Sequence, residues 1–255
     1  MSGLFTLFKS RKHEDEWMDL PSTSTGEFTE ALRDIQWVNR NLGGTEVLLS
    51  AFQSMLPADL PAALSVLDIG TGSADIPRAL ANWARAANHL NLPPLHITAC
   101  DIHPVAVSVS RQLCQGYPEI NVVQADALNL SYTENSFDIV ISSMFLHHLD
   151  NAQAVQLLRE MARISRIGLI VNDLERHPLA WLGIKTLGHL TRKGRIFKND
   201  APLSVLRGFD RSDLERLKQQ SGLTTLEIQH HRPYRWVLCW RRENASIRQP
   251  YIASR

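Results

Sequence analysis

The residues able to do chemistry stand at the ends of apolar runs. Asp68 closes Val66-Leu67-Asp68-Ile69, and Gly70-Thr71-Gly72 follows, two glycines one residue apart. Glycine is needed where the backbone takes a positive φ or must let a ligand come close. A tight turn after a strand is where open α/β sheets receive nucleotide-like ligands. Asp101 ends Ala99-Cys100-Asp101-Ile102, placed to accept both hydroxyls of a ribose; Asp126, in Gln124-Ala125-Asp126-Ala127, is placed for a base amino group. Ser142 and Ser143 end the run 137–143, and His147 and His148 come directly after. Asn172-Asp173 ends another run, with His177 close behind in Glu175-Arg176-His177-Pro178. A lone acid after a strand is commonly a cap or turn residue, but successive strand ends carrying such groups in order are hard to obtain by accident. The pattern departs from the dinucleotide fingerprint G-x-G-x-x-G, which has an acid about 20 residues further on. Asp75 holds the third glycine position and the next strand-terminal acid is Asp101, which argues against a nicotinamide oxidoreductase.

Strands and helices must alternate to bring these groups to one edge. Strands are expected over 65–69, 95–101, 121–124, 137–143 and 167–173, with helices over 75–87, 104–116 and 152–164 between them. Pro77 falls in a first helical turn, where its missing N–H costs little. Such alternation predicts a doubly wound parallel sheet. A helix over 211–221 and strands over 223–230 and 234–240, antiparallel around Arg232-Pro233, close the chain. The connection 174–210 breaks the rhythm. Leu179, Trp181, Leu182, Ile184, Leu187 and Leu190 recur at helical spacing, and the basic Arg192-Lys193-Gly194-Arg195 and Lys198 follow. This stretch reads as an apolar lid, as an amphipathic helix packed on the sheet with solvated charges, or as a contact with a membrane surface.

Ahead of the sheet, residues 1–22 read as a loose arm. Ser24-Thr25-Gly26-Glu27 forms a capping box, and Phe28, Leu32, Ile35 and Val38 continue at helical spacing until Asn41-Leu42-Gly43-Gly44. A second helix runs from Thr45 through Leu56 to Pro57. The two helices either cap the later site or pad the sheet edge. The expected division is an N-terminal arm and helical cap over 1–60, a main domain over 61–241 with 174–210 as a substrate-side insertion, and a frayed polar tail over 242–255.

With 255 residues, 44% of them hydrophobic, the chain can bury one sizeable α/β core. A net charge of +1 gives no global case for a nucleic-acid partner. Cys100, Cys114 and Cys239 are far apart and read as reduced thiols of a cytoplasmic protein. No apolar run reaches the ~18 residues of a membrane span, so no stable membrane insertion is expected. Leu4-Phe5-Thr6-Leu7-Phe8 is too short for a signal-peptide core, and Asn244-Ala245-Ser246 reads as a chance sequon. Spaced His/Cys ligand pairs are lacking, and the His147-His148 doublet alone makes no metal site, so activity is expected to survive a chelator.

Residues 64–172 resemble the class I S-adenosylmethionine (SAM) methyltransferases motif by motif. Val66-Leu67-Asp68-Ile69-Gly70-Thr71-Gly72-Ser73-Ala74-Asp75 is similar to the family's first motif, Cys100-Asp101 to its acidic second, Gln124–Ala127 to the third and the run 137–143 to the fourth. Leu146-His147-His148-Leu149 is similar to a stretch of the small-molecule branch, which modifies quinones and natural products. The amino-methylating N-P-P-Y signature is replaced by Ser142-Ser143-Met144-Phe145, against methylation of DNA bases or glutamine. The resemblance implies a Rossmann-like seven-stranded sheet with one antiparallel strand, and SAM as cofactor, leaving as S-adenosylhomocysteine. It implies that Gly70 and Gly72 let the backbone approach the methionine part, that Asp101 binds ribose and Asp126 adenine, with Asp68, Ile102, Ala127 and Ser142 completing the cofactor site.

The sulfonium already makes the methyl group electrophilic, so the protein must mainly align an acceptor and exclude water. A phenol or enol acceptor also gains from a general base. His147, His148, Asp173 and His177 are the candidates; one of the adjacent histidines would face the pocket while the other packs or caps. Phe209, Trp236 and Trp240 are wall or core. The expected activity is methyl transfer to a small organic acceptor, most readily an oxygen of a phenol, quinol or polyketide-like molecule. An RNA- or protein-modifying enzyme of the same fold and an idle SAM-binding protein are the alternatives.

Overall fold

The computed structural model describes residues 7–87, 92–191 and 193–243. Seven strands form one sheet: β1 (Leu64–Ile69), β2 (Leu95–Asp101), β3 (Ile120–Gln124), β4 (Phe137–Ser143), β5 (Ser165–Leu174), β6 (Glu227–His231) and β7 (Arg235–Arg241), in the order β3-β2-β1-β4-β5-β7-β6. β1 to β5 are parallel, and β7 runs antiparallel to both its neighbours. This is the expected doubly wound sheet with one reversed strand. Successive side chains point to opposite faces, so the strands feed two cores. Leu67, Val140, Leu169 and Leu238 pack on one side; Val66, Ile139, Ile170 and Val237 pack on the other.

The helices are α1 (Thr25–Asn41), α2 (Gly44–Met55), α3 (Asp75–Ala86), α4 (Pro104–Leu113), α5 (Asn151–Ile164), α6 (Pro178–Leu190), α7 (Arg195–Arg207) and α8 (Arg211–Ser221). Among the described residues no helix is long and apolar enough to cross a membrane. The capping box is formed: Ser24 accepts from the Glu27 N–H while the Glu27 carboxylate accepts from the Ser24 N–H. The two N-terminal helices divide the expected roles. α2 pads the sheet, packing on β5 and β7 with Leu48, Phe52 and Met55 in the core. α1 lies over the site, against α4 and α7.

The connection 174–210 folds into two helices rather than one, and its basic segment is not merely solvated. Lys193 Nζ reaches Asp34 Oδ1 at 2.9 Å and Arg195 reaches Glu27 Oε1 at 2.7 Å, clipping the connection onto α1. Phe209 and Trp236 are core, 0% and 5% exposed. The described part of the arm is docked, not loose. Arg11 is buried and donates to the carbonyls of Arg207, His147 and Leu149 and to Asn151 Oδ1. The Asp200 carboxylate accepts the N–H groups of Trp17 and Met18, each at 2.9 Å. The chance sequon and almost all of the expected tail lie outside the described residues.

Candidate active site

The turn after β1 needs both of its glycines for their backbone conformation. Gly70 and Gly72 take φ of +70° and +55°, a region that side chains rarely adopt. The space a Cβ on Gly70 would need is already taken by the Phe145 ring, at 2.5 Å. Thr71 N–H donates to Cys100 O, and Gly72 N–H donates to Asp101 Oδ2 at 2.9 Å, tying the turn to the end of β2. Asp101 Oδ1 also accepts the His103 N–H, so its carboxylate is aimed before any ligand arrives. Ile102 beside it is 59% exposed, an apolar side chain left open at the sheet edge. Asp126 is exposed at the end of β3 and holds its own turn by accepting the Leu128 N–H. Ala127 and Ser142 are turned inward: Ala127 is in the core, and the Ser142 hydroxyl donates to Ile69 O.

Three acids crowd this turn. Burial, then the neighbouring Asp75 and Asp101, raise the Asp68 carboxyl from 3.8 to about 8, against the pull of the Thr71 hydroxyl. Burial likewise raises Asp75 and Asp101. Asn39 on α1 donates to Asp75 Oδ2 at 3.1 Å, yet its own Oδ1 is buried with no donor, and so is Asn172 Oδ1 at the end of β5. Buried acceptors normally find donors. A cluster of acids with the orphaned Asn39 Oδ1 on the residue that bonds Asp75 fits a cationic ligand carrying N–H groups, which describes the α-ammonium of SAM.

On the other side of β4 lies a cavity of about 360 Å³, a size that holds a small organic ligand. Apolar residues of α1, α6 and α7 wall it, among them Ile35, Val38, Ile184, Leu187 and Phe197, so the connection after β5 forms part of the cavity wall. Its polar lining includes Glu16, His147, His148, Glu175, Asp200, Ser204 and Arg235. His147 and His148 sit on a 3₁₀ turn, Leu146–His148, directly after β4. His147 Nδ1 is 2.7 Å from Asp173 Oδ1, and its backbone N–H donates to Asp173 Oδ2. Burial opposes ionisation of Asp173, but the charge and hydrogen bonds of His147 hold it below the usual carboxylate range. An ionised carboxylate only accepts, so Nδ1 carries a ring proton, and the other nitrogen, Nε2, lies 3.8 Å from Glu16 Oε1.

His148 differs from its neighbour. Its Nδ1 is 3.0 Å from Asp19 Oδ2 and its Nε2 is 3.9 Å from Glu16 Oε2. Burial disfavours the charge, but Glu16 and Asp19 together raise its pKa to about 9. His177 stands apart from the other three candidates. It caps α6 by accepting the Leu179 N–H on Nδ1, stacks on Tyr234 at 4.7 Å, and is not among the cavity-lining residues. Glu16, Asp19, Arg11, Asp200 and Arg207 went unseen in the sequence. They come from the arm and from α7, and partners so remote leave no local spacing to read.

The structure thus places a glycine turn with strand-end acids on one part of the sheet edge and a largely apolar cavity beside it. Residues 66–168 match the family model described as a methyltransferase domain. That stretch, about two fifths of the chain, is a methyltransferase domain, and the fold around it is that of the class I SAM-dependent enzymes. It is 27% identical over 135 residues to a demethylmenaquinone methyltransferase of Bacillus licheniformis, an alignment covering 53% of this chain and 54% of that one. The match thus spans about half the length of the curated relative. Among solved structures, a SAM-dependent methyltransferase from Aquifex aeolicus superimposes with a TM-score of 0.57 at 13% identity, covering 86% of this chain and 99% of that one. Magnesium protoporphyrin IX methyltransferase from Synechocystis PCC 6803, with bound S-adenosylhomocysteine, gives 0.51 at 18% identity, covering 80% and 83%. Both likenesses are of fold.

Proposed function

We propose that the chain transfers the methyl group of SAM to an oxygen of a largely apolar phenol, quinol or enol held in the cavity beneath α6. The observation that carries this reading is the His147–Asp173 pair, with His147 lining a largely apolar chamber. When bound, SAM supplies an electrophilic methyl carbon on a sulfonium. Gly70, Gly72, Asp101, Ile102 and Asp126 would hold it along the β1–β3 edge, with Asp68, Asp75 and Asn39 near its positive end. His147 Nε2 takes the acceptor proton as its oxygen attacks, and Asp173 keeps the ring in the right tautomer and steadies the imidazolium that forms. His148, held between Asp19 and Glu16 rather than oriented by Asp173, is assigned no proton transfer in this reading. His177 serves as a helix cap. The curated relative is named for a quinone-type acceptor, which agrees in kind with an apolar chamber of this size.

The test is product detection by mass spectrometry, with SAM and a panel of phenols, quinols and carbon acceptors. Oxygen-methylated product, strongly reduced in His147→Ala, is expected. Product confined to carbon or nitrogen acceptors, with His147→Ala fully active, would overturn the assignment.

A further inference from the structure

The arm adds a third group to the adjacent histidines. Glu16 is 2% exposed, and its carboxylate lies between the rings. Its Oε1 is 3.8 Å from His147 Nε2 and its Oε2 is 3.9 Å from His148 Nε2. One ligand atom from each of the three residues lies within 4.8 Å of the other two. In a tetrahedral zinc site, bond lengths of about 2.0–2.1 Å put ligand atoms roughly 3.4 Å apart. Side-chain closure of at most about 1.4 Å between ligand atoms would therefore bring these three onto one ion.

The second observation is what stands behind each ring. Metal-bound histidines almost always donate the far ring N–H to a carboxylate or carbonyl, which fixes the tautomer and raises ligand basicity. Both histidines here have that partner already: Asp173 at 2.7 Å from His147 Nδ1, and Asp19 at 3.0 Å from His148 Nδ1. Glu16 is itself fixed, accepting from Ser204 Oγ at 2.8 Å with Arg207 Nε at 4.0 Å. All three ligand residues line the cavity, which leaves the fourth position open to whatever occupies it.

The geometry points to a divalent transition-metal site made of Glu16, His147 and His148, with Asp173 and Asp19 as outer partners. Two imidazoles and one carboxylate suit zinc better than magnesium or calcium, which prefer all-oxygen sets. Coordination occupies the Nε2 lone pairs of both rings. The ion would therefore block the base, and removing it would restore it. The site itself stands on geometry; its effect on turnover rests on the reading of His147 as base.

Chelator-stripped, full-length protein titrated with Zn²⁺ in a calorimeter should bind one ion per chain. Co²⁺ in its place should give the intense visible absorption of a tetrahedral centre. Glu16→Gln and His148→Gln, each checked for folding by melting in EDTA, should lose stoichiometric binding. Asp19→Asn should keep the site but weaken it by about 10–100-fold. Wild-type protein that binds no stoichiometric zinc overturns the site, and so does binding unchanged in Glu16→Gln and His148→Gln. Zinc should also stop methyl transfer, with full recovery in EDTA. Methyl transfer that persists in zinc-loaded protein would leave the ion site standing and count against His147 as base.

Discussion

In the proposed reaction His147 is the base, and what its other nitrogen touches supports that role. Asp173 is wholly buried and accepts from both the ring and the backbone of His147; it works through the histidine and positions it. His147→Ala should lower turnover by roughly 10²–10⁴-fold, the usual worth of a positioned base. SAM affinity, measured by calorimetry, should stay nearly constant, since the cofactor side chains stand on other strands. Asp173→Asn should lower turnover while leaving a residual rate that climbs with pH, as a phenol ionises unaided near about 10. An unchanged pH profile would remove Asp173 from that role. On the cofactor side, Asp101 has both oxygens aimed by the N–H groups of Gly72 and His103. Asp101→Ala should lose roughly 1.5–3 kcal/mol of charged hydrogen bonding to the ribose. That corresponds to tenfold or more in SAM affinity, and calorimetry showing no loss would refute the assignment.

At the scale of elements, the cavity is walled mainly by parts that are not strands of the sheet. α1 and α7 are joined by Asp34 with Lys193 and by Glu27 with Arg195, while α6 closes the top. The arm is the keystone, since Arg11 bridges α7 and the turn that carries His147. Burial lowers the Arg11 pKa to about 10, yet the guanidinium stays charged at neutral pH. Arg11→Ala strips that charged donor from several buried acceptors, an expected loss of about 2–3 kcal/mol on the scale of hydrogen bonds to charged groups. Chemical denaturation should show it. Limited proteolysis should cut sooner near residues 11–20 than in the wild type, and the KM for the acceptor should rise more than the Kd for SAM. Equal loss of both would mean that the arm merely stabilises the whole fold.

For the whole molecule, the crowded acids of the first turn set a pH dependence. The Asp68 carboxyl moves from 3.8 to about 8 in the folded chain, chiefly through burial. The fold thus favours the protonated form. The resulting stability is fully present below the unfolded value of 3.8 and is lost as pH rises through about 8. Without SAM, the melting temperature of wild type relative to Asp68→Asn should therefore fall across that window, and the variant itself should be flatter. A cation seated at the turn favours the ionised acid. SAM binding near neutral pH should then release protons, seen as a dependence of calorimetric enthalpy on buffer ionisation. No such dependence would place the positive end of the cofactor away from Asp68.

The sheet was legible in the residues because its signals are local. Apolar runs end in Asp68, Asp101 and Ser142-Ser143 within one residue of where β1, β2 and β4 end, and Gly70 and Gly72 stand where the backbone turns to positive φ. Ser24 and Glu27 announce their helix in the same way, since a cap forms between residues three apart. The sequence also placed His147, His148 and Asp173 at one edge, by strand order alone. It could not choose among them. That choice depends on Asp173 reaching the ring of His147, on Asp19 and Glu16 charging His148, and on His177 turning to cap α6. The separations are 26 residues for Asp173 and His147 and 129 for Asp19 and His148. A contact of that length is created by packing rather than periodicity, so only the tertiary structure could turn an apparently loose arm into a wall of the site.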